Sequence, residues 1–585
     1  MFPRVDRVRG AGKAYEYLRV VESFRDACGK CRHRVVANLG RLDLVTDQLE
    51  ELIDKLRRYC PGAFVRRSEV GNKESVSWGP ILVARRLWEE LHLDVILERF
   101  CQGRHGFQVA ERAFVLVANR LCSPRSEHGL ARWLDQMYVC DRHGVRFLPE
   151  WLPEAEVTHE QRVKVSGSWL APWYRTLDAV YERKEAIERE LFLRLRDLFH
   201  LKVDLVFYDL TTLYFERREP KEQLRRHGSS DKDGKPRNVK VLLGLVMVNG
   251  FPLASHVFAG NRAEKKTVPA VVEDLRQRFG IREVIFVSDR GIASAENRRL
   301  LGSLDSYHYL FAHRGRRDTK AQEWLGRTTE NWQDCGAGTR VQEVYSGEES
   351  LRVFVVESEE RSEYEQAMRC KSMERAEAHL SKVRAAVAAG RLKKAASIGA
   401  RAARALAKDN GCRYFSYRID GDGHFEYWQD QQKMAAETGR EGRYLLTTDH
   451  KTLSPMEAVH HYKELGDVEE SFRNLKDLIE GRPVFHKTDQ RACAHLFVAH
   501  LALLLLCHLR RRLEEAGLAL SPRDALQAAH SLGVAVLDMN GQTEVLAAGA
   551  KRDCRRVLDA LDILDTRPPS PPLCPGSANG LRKSM

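Results

Sequence analysis

Two apolar runs joined by an Asn-Gly pair place the strongest constraint on the fold of this chain. The runs VKVLLGLVMV (239–248) and FPLASHVFA (251–259) indicate strands, and Asn249-Gly250 between them is a strong signal for a two-residue hairpin turn. An earlier run, LKVDLVFYDLTTLYFE (201–216), is rich in Val, Leu, Phe and Tyr and indicates a largely buried strand. The sequence therefore predicts a sheet that begins with three hairpin-connected strands.

The elements after this hairpin decide the class of the sheet. They alternate as helix, strand, helix and strand, at about 265–279, 283–288, 294–304 and 306–313. Three hairpin-connected strands followed by this alternation is the order of a ribonuclease H-like α/β domain. In that topology the strand that contains Asp209 neighbours the strand that ends before Asp289, so the two carboxylates can converge. A carboxylate such as Asp209 in an apolar strand is costly unless it is paired or bound to a metal.

A pair of helices close to the end of the chain is the second constraining stretch, at 454–486. Pro455 occupies a tolerated first helical position. The two helices match two capping boxes, Ser454 with Glu457 and Asp467 with Glu470. We expect Gly466 and Asp467 to separate the helices.

The second of these helices has one apolar and one charged face. Four apolar residues recur at three- and four-residue spacing and predict a stripe that faces the core: Val468, Phe472, Leu475 and Ile479. Glu469, Arg473 and Lys476 fall on the adjacent face, over about 10 Å of helix. One carboxylate flanked by two cations suits half of a phosphate-handling site, although the same pattern is commoner on solvated helix faces.

Size, charge and cysteine content bound the class of protein. The 585 residues predict three or more domains, and the net charge of +13 favours a polyanionic partner without separating DNA from RNA or anionic lipid. The 13 scattered cysteines suit a reducing cytoplasm, and we interpret the pair Cys28 and Cys31 as part of a turn. The N-terminus has no secretory signal. The apolar stretch from Leu496 to Cys507 is too short to span a bilayer, so we expect a buried helix and no membrane partner.

Changes in composition divide the chain into six expected segments. They are an N-terminal hairpin and helix (1–70), a mainly helical region (73–199), the first part of the α/β domain (200–315), a mixed, partly β insertion (316–450), the second part of the α/β domain (451–512), and C-terminal helices with a Pro/Ser/Gly-rich, disordered tail (513–585). We expect the N-terminal helix at about 42–58 and a further amphipathic helix at 177–199.

Two of these segments carry cations that could contact nucleic acid. Short helices in the second segment suit a DNA-binding bundle of helix-turn-helix type, and the plain alternative is a helical domain with a polar face. The cations on these helices are Arg85, Arg86, Arg112, Arg120, Arg125 and Arg132. An Ala/Arg/Lys-rich stretch at 371–408 indicates an antiparallel helix pair broken at Gly390, whose cations could contact DNA or only solvate the surface.

Asp209, Asp289 and Glu469 form the strongest candidate for a catalytic set. Two carboxylates from strands and a third from a later helix can hold two hard cations about 4 Å apart, which activate a water or a 3′-hydroxyl for in-line attack on a phosphodiester. The nearest competitors are Asp204, which points to the other face of its strand, and Glu470, which lies about 100° from Glu469 around the helix.

Several motifs resemble those of one protein family. Tyr462, Glu469 and Lys476 match the spacing of the Tyr-x2-Arg-x3-Glu-x6-Lys signature of DDE transposases of bacterial insertion sequences. FYDLTT around Asp209 and VSDRGIAS around Asp289 look like the first and second acidic motifs of that family. RPVFH (482–486) and the N-terminal YLRVVESFRD…RVVANLGR look like one branch of it, so the resemblance covers most of the chain.

The resemblance implies a role for each matching residue. Asp209, Asp289 and Glu469 would be catalytic metal ligands that hold two Mg²⁺ ions, for which Mn²⁺ can substitute. Tyr462 and Lys476 would contact DNA phosphates close to the transposon end, and we add Arg473 from its helical face. The signature arginine is Leu465 here, in register with the apolar stripe. Either Arg473 takes over its phosphate contact, or this copy has lost some activity.

The resemblance also implies the reaction and the partners. An insertion-sequence transposase binds the ends of its element in double-stranded DNA, cleaves them in a metal-dependent step and joins the freed 3′-hydroxyl to target DNA. We expect a homodimer on DNA and a cytoplasmic protein that is nucleoid-associated when bound. Two alternatives stay open: a metal nuclease of the same fold without strand transfer, and an inactive DNA-binding derivative. The long insertion and N-terminal helical region argue against the first, and the three intact acidic positions argue against the second, which Leu465 leaves open.

Overall fold

The structure is a computed structural model that describes most of the chain. The described residues are 2–10, 13–26, 30–45, 48, 51, 70–101, 107–147, 159–199, 203–215, 223–227, 239–313, 318–421, 423–479, 486, 488–539 and 542–569. At residues 10, 159–168, 539, 542 and 543 the backbone alone is described. Four predicted features fall wholly or mostly outside these ranges: the turn at Cys28, the helix at about 42–58, the RPVF part of the motif at 482–485, and the tail from 570.

The strands are named β1 to β17 in chain order. They are β1 (Phe2–Gly10), β2 (Lys13–Arg25), β3 (Cys31–Arg41), β4 (Val70–Ser77), β5 (Leu205–Tyr214), β6 (Lys240–Val248), β7 (Phe251–Ala259), β8 (Val284–Ser288), β9 (Tyr307–Ala312), β10 (Gln333–Asp334), β11 (Thr339–Val344), β12 (Arg352–Ser358), β13 (Phe415–Ile419), β14 (Phe425–Gln429), β15 (Arg443–Thr448), β16 (Gly533–Met539) and β17 (Gln542–Ala548).

The α-helices longer than one turn are named α1 to α17. They are α1 (Gly79–Glu90), α2 (Leu93–Phe100), α3 (Val109–Cys122), α4 (Leu130–Gln136), α5 (His159–Glu182), α6 (Lys184–Phe199), α7 (Val268–Gln277), α8 (Ala295–Gly302), α9 (Thr319–Gly326), α10 (Glu359–Ala388), α11 (Ala395–Lys408), α12 (Gln431–Thr438), α13 (Pro455–Lys463), α14 (Leu465–Arg473), α15 (Asp489–Glu515), α16 (Pro522–Ala529) and α17 (Arg552–Ala560). The amphipathic segment predicted at 177–199 is thus the end of α5 followed by α6.

The smaller of two compact units contains two three-stranded sheets. This unit comprises Met1–Val76, Gly533–Gly549 and Arg567–Ser570, and the sheets have the orders β1-β2-β3 and β17-β16-β4. The predicted pairing of β2 with β3 is confirmed, but β1 adds a strand that the sequence did not indicate. The reason is that β1 lacks an apolar face: even Val5 and Val8 are 47% and 41% exposed.

A nine-stranded mixed sheet dominates the larger unit, Ser77–Leu532 with Ala550–Thr566 and Pro571–Met585. Its strand order is β10-β11-β12-β15-β9-β8-β5-β6-β7. Strands β5, β8 and β9 are parallel, whereas β6 and β7 form the predicted antiparallel hairpin. Asn249 and Gly250 both have positive φ, 48° and 79°, as a primed hairpin turn requires. The mixed α/β class is therefore confirmed.

The segment between β9 and α13 does not stand apart from this sheet. Strands β11, β12 and β15 extend it through antiparallel pairing of β15 with β9, with Thr447 opposite Phe311. Between β12 and β15, residues 359–442, here called the lobe, leave the sheet, and they contain α10, α11, β13, β14 and α12. The backbone N–H of Ser358 donates to the carbonyl of Gly442 at 3.0 Å, so the lobe begins and ends at one point.

The lobe has a hydrophobic core of its own. Its buried members are Ala376, Leu380, Val383, Ile398, Ala402, Leu406, Tyr414, Phe415 and Phe425. The predicted helix pair at 371–408 is confirmed as α10 and α11, and the break at Gly390 has a φ of 65°, which favours glycine.

A buried ion network fixes α6 to the sheet. The Glu188 side chain has no solvent exposure, and its carboxylate accepts hydrogen bonds from the Ser255 backbone N–H at 3.1 Å and Lys184 Nζ at 2.7 Å. Arg278 Nη1 donates to the same carboxylate at 2.5 Å. Burial opposes the ionised form, but Lys184 and Arg278 outweigh it and lower the pKa of Glu188 to about 2. The charged network thus links α6, β7 and the end of α7.

Most arginines of the helical region have partners within the protein. Arg85 donates to Glu111 Oε2 at 3.0 Å and lies 3.5 Å over the ring of Phe114. Arg120 is 6% exposed and lies 3.2 Å from His495 Nδ1. Both guanidinium groups are therefore used in packing within the protein, and DNA binding by these helices stays a prediction.

The histidine of the RPVFH motif joins the same buried cluster. His486 Nε2 lies 3.5 Å from Glu127 Oε1, and His495 Nδ1 lies 3.9 Å from the same oxygen. Burial disfavours the charge on Glu127, but the two histidines outweigh it and hold its pKa well below the usual range. His486 and His495 therefore both contact the loop before α4 through Glu127.

The apolar stretch predicted to be a buried helix is confirmed as part of α15. By length and composition α15 could cross a membrane, but its apolar window is wholly buried inside the protein. Its position between α3, α5 and β7 makes it the central helix of the larger unit.

Candidate active site

Asp209 and Asp289 lie on neighbouring parallel strands. β5 pairs with β8 in register, with Phe207 opposite Val287. Asp209 is two residues further along β5, and Asp289 follows β8 directly. Each aspartate is two residues beyond this pair, so the two carboxyl groups lie at the same end of the two strands, as the sequence predicted.

The pKa of Asp209 reports which charges surround it. Burial raises this pKa most, the negative charge of Asp289 raises it further, and Glu469 and Glu264 add to the effect, so that it reaches about 7. The helix that carries Glu469, α14, packs on β5. The structure therefore brings the three predicted carboxylates together, with Glu264 as a fourth.

The two neighbouring glutamates of α14 have different surroundings. Glu470 Oε2 accepts a hydrogen bond from Arg510 on α15 at 3.3 Å, whereas the charge of Glu469 acts on Asp209 and on Tyr462. Asp204, the other competitor, is exposed and lies before β5, five residues from Asp209. The geometry favours Glu469 over both competitors.

The junction between α13 and α14 differs from the prediction. The capping box of Ser454 with Glu457 is confirmed. The second predicted box is wrong, because α14 already begins at Leu465 and Glu464 alone separates the helices. The physical reason is that Leu465 is 5% exposed and lengthens the apolar stripe by one turn, which draws the following glycine and aspartate into the helix.

Arg473 and Lys476, which follow Glu469 in the chain, do not share one regular helical face. α14 ends at Arg473, which is exposed, and a π-helical turn follows at Asn474–Leu478. This wider turn changes the direction of the half-buried Lys476 relative to an α-helix. The expectation that Glu469, Arg473 and Lys476 line a single α-helical face is therefore corrected, because the buried Leu475 and Ile479 are accommodated by the π-helical turn.

Tyr462 lies within the electrostatic reach of the carboxylates. It is half-buried at the end of α13, and its ring centroid is 5.7 Å from that of Tyr444. Burial raises the pKa of Tyr462 most and Asp289 raises it further, to about 12, so the phenol stays protonated and can donate a hydrogen bond. The exposed Arg290 also acts on this phenol, and it forms no ion pair with any described residue.

Glu264 is the residue that the sequence analysis missed. It begins a 3₁₀ turn, Glu264–Lys266, between β7 and α7. A Cβ at Gly291 would lie 2.7 Å from Glu264 Oε2 and 3.0 Å from Asp289 Oδ1, so both carboxylates lie against the Gly291 backbone. The one signal that could have found it is the glycine two residues after Asp289, which marks a close approach.

Three buried polar side chains hold the turn that carries Glu264. Tyr208, next to Asp209, donates to Thr267 Oγ1 at 2.9 Å, and this hydroxyl donates to the Glu264 carbonyl at 2.7 Å. Asn297 Nδ2 donates to the carbonyls of Lys265 and Ile292, at 3.0 and 2.8 Å. Asn297 therefore ties the turn of Glu264 to the loop after Asp289.

Comparison with known proteins decides the family. Residues 204–505, more than half of the chain, match the family model described as the transposase DDE domain. The chain belongs to the DDE transposases. Residues 4–69 of the transposase match the family model described as the N-terminal domain of IS1634 family transposases, which confirms the predicted relation to insertion sequences.

Other comparisons add little to this assignment. The search of curated proteins gives no match. Among solved structures, the transposase is similar to the piggyBac transposase in its synaptic complex with hairpin DNA, at 10% sequence identity and a TM-score of 0.34, over 78% of this chain and 82% of that chain. The family assignment rests on the two sequence matches.

The family gives the reaction class. The protein is an insertion-sequence transposase, an enzyme that cleaves DNA and transfers strands, so DNA is its partner. DDE domains typically use a divalent metal, and the residues present fit one. Asp209 is buried and is repelled by the neighbouring carboxylates, and a hard cation, which prefers oxygen ligands, would offset both effects.

Proposed function

We propose that Asp209, Asp289 and Glu469 form the catalytic centre at which this transposase cleaves the ends of its element and joins them to target DNA. The observation that carries the proposal is the convergence of these carboxylates, which together with burial raises the pKa of Asp209 to about 7. A site of this kind stabilises cations bound between its carboxylates. The strand order around β5 supports a ribonuclease H-like core interrupted by the β10–β15 segment.

The carboxylates are proposed to hold two Mg²⁺ ions, with Mn²⁺ as a substitute. When bound, such ions activate the attacking oxygen and stabilise the leaving oxygen of a phosphodiester. Glu264 is proposed as a fourth carboxylate of the centre, since its Oε2 and Asp289 Oδ1 both lie against the backbone of Gly291. Asn297 and Thr267 act as positioning residues for it.

Phosphate contacts are proposed for Tyr462, Arg473 and Lys476. The neutral phenol of Tyr462 can donate to a phosphate oxygen beside the carboxylates. Arg290 is proposed as a further phosphate contact, since its charge acts on Tyr462 and is not neutralised by a described residue. It offers a second replacement, besides Arg473, for the signature arginine that is Leu465 here.

The test uses the full-length protein and a duplex that carries the ends of its own insertion sequence. Incubation with Mg²⁺ should give nicks at the element ends and then joined products on a supercoiled plasmid, and chelation by EDTA should abolish both. Cleavage without joining would favour the metal nuclease alternative, and specific binding without cleavage would favour the inactive derivative. We further propose a homodimer on DNA, and a cytoplasmic protein associated with the nucleoid when bound.

A further inference from the structure

The lobe carries a basic surface that no acidic residue balances. Between Ala378 and Lys408 the sequence has eight Lys or Arg residues and no Asp or Glu: Lys382, Arg384, Arg391, Lys393, Lys394, Arg401, Arg404 and Lys408. All eight are exposed. Arg384 lies 5.0 Å over the ring of Tyr427, and none of the eight forms an ion pair with any residue that the structure describes. These charges face solvent alone.

Several cations elsewhere on the lobe form ion pairs. Arg369 pairs with Glu441 at 2.5 Å, Arg418 with Asp420 at 3.2 Å, and Arg440 with Glu437 at 3.2 Å. The acidic residues of the lobe are thus distributed over its other surfaces. The imbalance is therefore local to α11 and the adjoining part of α10.

The cations of α11 form a regular stripe. Arg401 and Lys408 are seven residues apart, so they point in nearly the same direction about 10 Å apart along the helix, and Lys394, the N-cap residue seven positions before Arg401, adds a cation at the start of α11. The buried face of α11, with Ile398, Ala402 and Leu406, lies about a quarter turn away and holds the helix on the core of the lobe. The exposed positions between the cations include Ala400, Ala403 and Ala407, which do not obstruct a flat approach.

We propose that this α11 stripe binds the phosphate backbone of duplex DNA without reading its sequence. Duplex DNA offers a phosphate charge about every 1.7 Å of its axis, so cations spread over about 20 Å of helix can each meet one. Contacts from lysine and arginine to phosphate oxygens position a protein on the duplex and carry no sequence information. The inference uses only the DNA partner of the family and is independent of the proposed roles of the carboxylates.

The experiment compares two triple variants of the full-length protein. The stripe variant is Lys394→Gln, Arg401→Gln, Lys408→Gln. The control variant is Lys320→Gln, Arg327→Gln, Arg418→Gln, which removes the same net charge from exposed cations that are paired, with Glu348, Glu323 and Asp420. Binding to a random-sequence duplex is measured in EDTA at several salt concentrations, so that catalysis plays no part.

The stripe variant should bind at least about tenfold more weakly than wild type at low salt, and its slope of log K against log salt should be smaller in magnitude by about 2–3, which is about 0.9 for each lost phosphate contact. The control should change that slope by less than about 1. Equal slopes for the stripe variant and wild type, or equal losses in both variants, would overturn the proposal. The single variant Arg401→Gln, at an exposed position of an alanine-rich helix, should shift the slope by about 0.9 and gives the same decision if the triple variant folds poorly.

Discussion

Glu470 accepts a hydrogen bond from Arg510 of α15 at 3.3 Å, while the negative charge of the adjacent Glu469 raises the pKa of Asp209. One of two consecutive glutamates therefore holds α14 to its neighbouring helix, and the other belongs to the candidate site. Their opposite surroundings make them a matched pair for experiment.

Removing one carboxylate of the proposed centre should stop cleavage and spare binding. Asp209→Ala, Asp289→Ala and Glu469→Gln should each lower cleavage of an end-containing duplex by about two to three orders of magnitude or more. Affinity for the duplex should persist, because cations supply most of it. Glu470→Gln serves as the control and should keep near wild-type cleavage. Cleavage that survives Glu469→Gln and fails in Glu470→Gln would reverse the assignment.

Gly291→Ala should disturb the candidate centre without unfolding the protein. The added Cβ would lie 2.7 Å from Glu264 Oε2 and 3.0 Å from Asp289 Oδ1, so the carboxylate of Glu264 must shift from its present position. We expect weaker Mn²⁺ binding, measured by calorimetry on the DNA-free protein, and slower cleavage, with Glu264→Gln giving the same two losses. Gly326→Ala, where no atom lies within 4 Å, should change neither quantity. Normal Mn²⁺ affinity in Glu264→Gln would remove Glu264 from the centre.

Leu465→Arg should destabilise the protein and should not restore a phosphate contact. Leu465 is 5% exposed, and an uncompensated buried charge costs about 3–5 kcal/mol. A thermal melt should show a clearly lower midpoint, and transposition should not rise. At the next position, Gly466→Ala should raise stability by about 0.5–1 kcal/mol, since a Cβ there meets no atom within 4 Å and alanine is the better helix former. A stable, more active Leu465→Arg variant would show that this side chain can reach the DNA.

The free energy of unfolding should fall at acid pH because Glu188 becomes protonated. Its pKa is about 2 in the folded protein, below the value of about 4.3 expected when unfolded. A depressed pKa gives stability that is present above about pH 4.3 and is lost as the pH falls towards 2. Glu188→Gln should therefore cost about 3–5 kcal/mol at neutral pH, because Lys184 and Arg278 lose their partner, and the gap from wild type should narrow below about pH 4. Urea melts of wild type and Glu188→Gln at neutral pH and below about pH 4 measure this difference in stability. If the difference were the same at both pH values, Glu188 would not be the source of the acid sensitivity.

Much of the candidate site could be read from the sequence because short-range chemistry specifies it. The hairpin at Asn249, the apolar strand around Asp209 and the stripe from Val468 to Ile479 are patterns in neighbouring residues, and the structure confirms them. The convergence of Asp209 with Asp289 followed from the order of strands.

The features that the sequence did not reveal depend on distant packing. Glu264 stands in a turn without a pattern, and only the fold brings it to Gly291. The partners of Arg85 and Arg120, which are Glu111 and His495, also become neighbours only in the folded chain. The π-helical turn at Asn474–Leu478 likewise has no local signal.

The meeting of Ser358 with Gly442 has a consequence for how this protein can vary in length. β12 and β15 pair directly beside these residues, with Glu357 opposite Arg443, so the chain enters and leaves the lobe at adjacent positions. A short turn between Ser358 and Gly442 could replace the lobe and leave every strand of the large sheet paired. The lobe can therefore be replaced, shortened or fused to a foreign domain. Deletion of β10 or β11 would instead remove strands from the edge of the large sheet.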